Sequence, residues 1–212
     1  MDYSAKFWDR IAKRYARKPI ADEATYQKKI ALTQARLNPG MKVLEFGCGT
    51  GSTALLLAPH VAEYEAIDVS ANMIAIAEGK LRQNPVAQLR FKQQALEEHQ
   101  AEPQSLDAIL GHSILHLLDN PQAAIEKVHR LLKPGGFFIS STACLSDGMR
   151  FFRYIGPIGK WLGLIPAVRV FSQAELTTWL QTAGFEIDYR LIPENNRMSC
   201  FIVASKADSS VS

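Results

Sequence analysis

Two hydrophobic periods alternate along the chain. Over Ala5 to Arg17, the residues Phe7, Trp8, Ile11, Ala12 and Tyr15 fall at helical spacing, and Lys6, Arg10, Lys13, Arg14 and Arg17 take the other positions, which predicts an amphipathic helix. A second helix is predicted from Ala24 to Leu37, ended by Asn38-Pro39-Gly40. Short β-branched and aromatic runs then predict strands at Met41 to Phe46, Glu63 to Ile67, Leu89 to Gln93, Leu106 to Leu110 and Phe137 to Ser141. Between them lie a helix from Ser52 to near Pro59 and one capped by Ser70 with Met73, Ile74 and Ala77 on its apolar stripe. A third begins at Asn120-Pro121 and is terminated by Lys133-Pro134-Gly135-Gly136. Ser172 and Glu175 form a capping box that opens a helix through Leu180, with Gly184 at its C-terminal glycine position. Phe185 to Leu191 and Cys200 to Ala204 are two late strands around the turn Pro193 to Asn196. Strands alternating with helices predict an α/β fold around a mostly parallel sheet.

Composition narrows the class. A chain of 212 residues suits one domain, and 47% hydrophobic with 21% charged residues describes a folded protein rather than a disordered chain, a collagen-like repeat or a membrane bundle. The formal charge of +3 is too small to require nucleic acid as a partner. Cys48, Cys144 and Cys200 lie far apart with no Cys-x-x-Cys, so neither a disulfide framework nor a zinc site is expected. The first ten residues mix charges into every turn and lack the apolar stretch of a signal peptide, which makes the expected location cytoplasmic. Tyr154 to Val170 is apolar but is broken by Lys160, Arg169, prolines and glycines, so it falls short of a spanning helix.

The first strand runs into Gly47-Cys48-Gly49-Thr50-Gly51 and then a helix. Glycines there let backbone amides approach a ligand closely and adopt dihedrals closed to other residues. Asp68 ends the next strand, where its carboxylate can accept both hydroxyls of a ribose, so a nucleoside-containing cofactor is expected. The dinucleotide fingerprint needs a third glycine where Ser52 stands, which disfavours a nicotinamide cofactor.

The blocks Val43-Leu44-Glu45-Phe46-Gly47-Cys48-Gly49-Thr50-Gly51, Ala66-Ile67-Asp68-Val69-Ser70, Leu131-Leu132-Lys133-Pro134-Gly135-Gly136 and Ala183-Gly184-Phe185, in that order, resemble the class I S-adenosylmethionine-dependent methyltransferases. The resemblance runs from about residue 41 to 205. It implies a three-layer α/β/α Rossmann-like sandwich whose sheet has seven strands, the last antiparallel and inserted beside the fifth. Within residues 1–212 it implies a helical lid at 1–40, a cofactor-binding core at 41–143, a substrate-covering insertion at 144–171, a C-terminal helix and strands at 172–205 and a tail at 206–212. S-adenosylmethionine would be the cofactor and S-adenosylhomocysteine the product. Carried over by position, Gly47, Gly49 and Gly51 would lie under the methionine part, Cys48 and Thr50 would be cofactor-binding residues of the same loop, and Glu45 would help position the methionine amino group. Asp68 would take the ribose. Val69, Met73, Gln94, Ala95 and Leu96 would surround the adenine, and many relatives have an acidic residue where Gln94 stands. Tyr15 would touch the cofactor from the lid. Gly111 and His112 would face the sulfonium.

Methyl transfer from a sulfonium is an in-line displacement, which asks the protein mainly to align the reactants and exclude water. A histidine serves as base where the acceptor is a phenol, an acidic carbon or a thiol. His116 and His112 are the catalytic candidates, each with an alternative reading as a structural hydrogen-bonding residue, whereas His60, His99 and His129 read as surface or loop residues. Cys48 reads as a small packed residue. Cys144, Phe152, Tyr154 and Trp161 are the candidates for substrate contact. The apolar insertion around the three aromatics reads as a substrate wall, a lid that touches only protein, or a membrane-surface contact with Arg153, Lys160 and Arg169 at headgroups. No metal is expected, since the ends of the fourth and fifth strands lack carboxylates. The expected function is methylation of a small, apolar or aromatic acceptor. Two alternatives are a lipid or quinone methyltransferase at the membrane surface and a non-catalytic cofactor-binding module. The sequence does not specify the acceptor atom or the oligomeric state.

Overall fold

The computed structural model describes residues 3–148, 166 and 168–208. Its strands form a seven-stranded sheet in the order β3-β2-β1-β4-β5-β7-β6, mostly parallel and flanked by helices. The chain divides into two compact units, residues 1–99 and 100–212.

The first unit contains α1 (Tyr3–Ala16), α2 (Glu23–Gln34), β1 (Lys42–Phe46), α3 (Ser52–Leu57), β2 (Glu63–Asp68), α4 (Ala71–Gln83) and β3 (Leu89–Gln93). Val43, Leu44 and Phe46 of β1 are all buried, as a strand covered on both faces requires. β1 pairs with β2 in parallel from Lys42↔Glu63 to Phe46↔Ile67, and β2 pairs with β3 from Tyr64↔Leu89 to Asp68↔Gln93. Asp68 therefore sits one position beyond the paired end of β1. Ser70 caps α4 by accepting from Met73 N at 3.1 Å. The same hydroxyl donates to Asp9 Oδ1 of α1 at 2.6 Å, and that oxygen also accepts from Asn72 N at 2.9 Å. A carboxylate on α1 thus supplements the α4 cap, an acceptor that the sequence, with 61 positions between Asp9 and Ser70, did not suggest.

The second unit contains β4 (Leu106–His112), α5 (Pro121–Leu131), β5 (Leu132–Ala143), α6 (Gln173–Thr182), β6 (Phe185–Leu191) and β7 (Ser199–Lys206). Asn120 caps α5 by accepting from Ala123 N at 3.0 Å, with Pro121 at the first turn. The capping box of α6 is present in both directions: Glu175 N donates to Ser172 Oγ at 3.2 Å and Ser172 N to Glu175 Oε2 at 2.8 Å. β5 pairs with β4 in parallel and with β7 antiparallel, and β7 is also antiparallel to β6.

β5 starts earlier than its apolar run predicts. Lys133 to Gly136 terminates α5 as expected, but it lies within the strand as an irregularity: Leu106 pairs with Leu132 and Ala108 next with Phe137. Gly135 has φ +71°, and a Cβ on Gly136 would come within 3.0 Å of Asp107 O, so the strand can bulge here only because glycine occupies both places. Lys133 Nζ anchors the bulge on Asp107 Oδ1 at 2.6 Å. No helix among the described residues is long and apolar enough to cross a membrane.

Candidate active site

The glycine loop takes three left-handed residues in alternation: Gly47 at φ +67°, Gly49 at +54° and Gly51 at +72°. Cys48 N donates to Ile67 O at 3.1 Å and Gly51 N to Cys48 O at 3.0 Å, which lays the loop along the end of β2. Lys80 on α4 then clasps it, donating to Thr50 O at 3.0 Å, Thr50 Oγ1 at 3.1 Å and Ser52 Oγ at 2.9 Å.

The glycines have different physical reasons. A Cβ at Gly51 would stand 2.5 Å from Phe91 Cζ and 2.8 Å from Ala77 Cβ, so this glycine lets the loop pack on β3 and α4. A Cβ at Gly49 would meet nothing within 4 Å; the space above it is open to a ligand. Gly51→Ala is accordingly expected to destabilise the protein by about 2–3 kcal/mol through clash and left-handed strain, and Gly49→Ala by about 1 kcal/mol through strain alone. Urea unfolding of both variants checks the order, and equal losses would contradict the packing role of Gly51.

Asp68 is 9% exposed, and each carboxylate oxygen holds one backbone amide: Oδ2 accepts from Gly49 N and Oδ1 from Ser70 N, both at 2.9 Å. Burial raises its pKa, the two amides offset part of the rise and Asp9 adds to it. One acceptor position per oxygen is left, which matches a vicinal diol. Tyr15, 47% exposed on α1, lies close enough for the Asp68 charge to contribute to its raised pKa, after burial. Tyr15 also packs edge-on against Trp8, with centroids 5.9 Å apart.

Glu45, only 1% exposed, accepts from Tyr64 Oη at 2.8 Å on Oε2 and forms no ion pair with a described residue. Burial pushes its carboxyl up to about 8; the Tyr64 hydroxyl pulls against that rise, and the Asp68 charge adds to it. Tyr26 of α2, hydrogen-bonded with Thr53 Oγ1 at 3.4 Å, is close enough for Glu45 to act on it. Cys48 is buried, and its surroundings, first by desolvation and then by the Glu45 and Asp68 charges, hold the thiol protonated.

Among the residues expected around an adenine, Met73 and Leu96 are buried and Val69, Gln94 and Ala95 half-buried. Gln94 spends its amide locally: Nε2 donates to Glu98 O at 3.1 Å and Oε1 lies 3.4 Å from His99 Nδ1. His99 lies in the loop after β3, as one of its two readings had it, but is buried there at 7% exposed; Gln94 at 3.4 Å and Glu65 at 3.8 Å receive it inside the unit.

In the second unit Gly111 and His112 end β4, paired with Ser140 and Ser141 of β5. Ser113 follows in a left-handed conformation at φ +55°, fixed by its N–H on Ser141 O. His116 lies in a single 3₁₀ turn, and its Nδ1 is 3.1 Å from Thr142 Oγ1 and 3.5 Å from Ala143 N. Its partners are thus a hydroxyl and an amide. An amide can only donate, so Nδ1 accepts and the ring carries its proton on Nε2. Burial pushes the imidazole down to about 4, which keeps it neutral. The ring as held offers a donor, and it can act as a base only after the proton shifts between its nitrogens. Cys144 is fully buried and its thiol hydrogen-bonds with Cys200, which corrects its expected place at a substrate surface: an enclosed, paired thiol has no face for a ligand. Phe152, Tyr154 and Trp161 lie outside the described residues.

Tyr64, Lys80, Tyr26, Asp9 and Thr142 had no motif to mark them. A tyrosine on β2 two residues from the register partner of the β1 acid, and a lysine on the polar side of the α4 stripe, were the available signals.

The donor set of the first unit fits S-adenosylmethionine: a buried acid without a cation partner, a carboxylate with two acceptor positions and an open glycine between them. Residues 13–189 match the family described as "Methyltransferase domain", and the chain belongs to it as an S-adenosylmethionine-dependent methyltransferase of class I. The chain is 30% identical to the ubiquinone biosynthesis O-methyltransferase of Xanthomonas axonopodis pv. citri over 76% of this chain and 69% of that one. It is 33% identical to a highly reducing polyketide synthase of Gibberella zeae over 77% of this chain, and it spans 7% of that synthase's length. Among solved structures, an S-adenosylmethionine-dependent methyltransferase from Mesorhizobium loti shares the fold with a TM-score of 0.71 at 18% identity, over 87% of this chain and 99% of that one.

Proposed function

We propose that this enzyme methylates a small, apolar or aromatic acceptor at a neutral site. The observation that carries the cofactor half is the Asp68 carboxylate, fixed by the amides of Gly49 and Ser70 with one acceptor position left on each oxygen. In this reading Asp68 takes the two ribose hydroxyls and Glu45 the ammonium group. Gly47, Gly49 and Gly51 carry the methionine backbone, with Cys48 and Thr50 shaping the loop. Val69, Met73, Gln94, Ala95 and Leu96 surround the adenine, and Tyr15 with the rest of residues 1–40 covers it. The cofactor supplies an electrophilic methyl group on a positively charged sulfur. Gly111 and His112 are assigned to the sulfonium side. His116, neutral and donating from Nε2, is assigned to an oxygen of the acceptor, which it orients for in-line attack as the phenolate, its proton having gone to solvent; the O–CH₃ bond forms as the S–CH₃ bond breaks and S-adenosylhomocysteine leaves. The segment with Phe152, Tyr154 and Trp161 is assigned to the acceptor's apolar part. The similarity to a ubiquinone biosynthesis O-methyltransferase supports an aromatic oxygen acceptor.

A thermal-shift series followed by a turnover screen tests this. S-adenosylmethionine and S-adenosylhomocysteine are expected to raise the melting temperature and NAD to leave it unchanged, with about 2.7 kcal/mol of stabilisation at a hundred times Kd. Phenols and hydroquinones are then expected to accept the methyl group without liposomes. Binding without transfer to any of them would sink the acceptor assignment and leave the cofactor assignment standing.

A further inference from the structure

We propose that Tyr64 is a positioning residue for the amino-acid end of the cofactor, holding Oε2 of Glu45 so that Oε1 is left to meet the ammonium group. The inference rests on the assignment of that group to Glu45. Tyr64 is 1% exposed, and its hydroxyl, carried from β2 to β1, is the hydrogen-bond donor to a carboxyl that is itself 1% exposed. A phenol so deeply enclosed must find an acceptor, and a carboxyl so deeply enclosed must find a donor or a cation. Tyr64 supplies the first requirement of each, and no described residue supplies the cation. The groups that act on the pair are Asp68 at the end of β2, Cys48 in the glycine loop and Tyr26 on α2; ionised, all three would be anions. When Glu45 ionises in this setting no described cation balances it, and a ligand ammonium would.

Two consequences separate positioning from packing. Glu45 carries its proton at neutral pH without ligand, so S-adenosylhomocysteine, which brings the ammonium group, displaces that proton to the buffer. 5′-Methylthioadenosine, which lacks the amino-acid end, does not. The Tyr64 hydroxyl favours the ionised form of Glu45, so its loss moves the pH at which S-adenosylhomocysteine affinity levels off upward.

The experiment is calorimetric titration of wild type and Tyr64→Phe with both ligands from pH 6 to 9, in two buffers of different ionisation enthalpy. Tyr64→Phe is expected to weaken S-adenosylhomocysteine about tenfold at pH 7 and methylthioadenosine less than twofold, with the gap closing toward pH 9. Equal losses for the two ligands, or none, overturn the positioning role. Should the phenylalanine variant not fold, 3-fluorotyrosine introduced at position 64 keeps the packing but donates more strongly, and it is expected to move the pH at which S-adenosylhomocysteine affinity levels off downward and to leave methylthioadenosine unchanged; no movement overturns the positioning role. Wild type that binds both ligands equally and releases no proton removes the Glu45 assignment, whereas wild type that binds neither removes the cofactor site.

Discussion

Asp68→Ala is expected to weaken S-adenosylhomocysteine binding by on the order of 10²- to 10³-fold. In the proposed assignment two ribose hydroxyls would donate to this desolvated carboxylate, at about 1.5–3 kcal/mol each, and every 1.4 kcal/mol is tenfold in affinity. The alanine variant also strands the amides of Gly49 and Ser70, which donate to this carboxylate at 2.9 Å, so part of the loss comes from a disordered loop. Asp68→Asn separates the two effects. It preserves shape and one amide contact, but it turns an acceptor into an NH₂ that faces a hydroxyl or an amide. Its affinity is expected to fall by at least half as much on a logarithmic scale as that of alanine, with a smaller change in the ligand-free melting temperature. Calorimetry and thermal melts of the two variants check this. Full affinity in either would show that the ribose is held elsewhere.

The parts of this site that the sequence makes legible are those whose cause is local. The glycine loop, the Ser70 cap, the capping box at Ser172 and Asp68 at a strand end each follow from a few adjacent residues, and the structure has all four. The supporting residues act across long separations. Tyr64 reaches Glu45 over 19 positions, Lys80 reaches Thr50 over 30 and Thr142 reaches His116 over 26, each from a different element. No spacing rule announces such pairs, because they are set by sheet register and helix placement. The same reason accounts for the burial of His99: its loop position is legible, but that the turn after β3 carries it inward to Gln94 is not. The bulge at Lys133 to Gly136 shows the opposite error, in which loop-forming residues prove compatible with a strand once two glycines relieve the crowding.

The ligand-free enzyme is expected to lose stability between pH 6.5 and 8, and Glu45→Gln is expected to abolish that loss. Glu45 is held at about 8 when folded against 4.5 ordinarily, so between these values the folded protein keeps a proton that the unfolded chain releases. Stability then falls as pH rises through the window, by on the order of a few kcal/mol in all. His116 has the opposite sign. Its folded value of about 4 against 6.5 means that the unfolded chain binds the extra proton, so its contribution raises stability as pH climbs to 6.5. The two oppose each other in the acid range and only Glu45 acts above it. For a chain of this size the fall from pH 6.5 to 8 corresponds to roughly 3–8 °C in melting temperature. The glutamine side chain of the variant still accepts from Tyr64 and carries no titrating proton, so the variant should melt at nearly constant temperature over the same range. Saturating S-adenosylhomocysteine should flatten the wild-type profile as well, since its ammonium supplies the charge that makes ionised Glu45 tolerable. Parallel slopes in wild type and variant would place the titrating group elsewhere, and a slope that ligand fails to flatten would separate Glu45 from the amino-acid end of the cofactor.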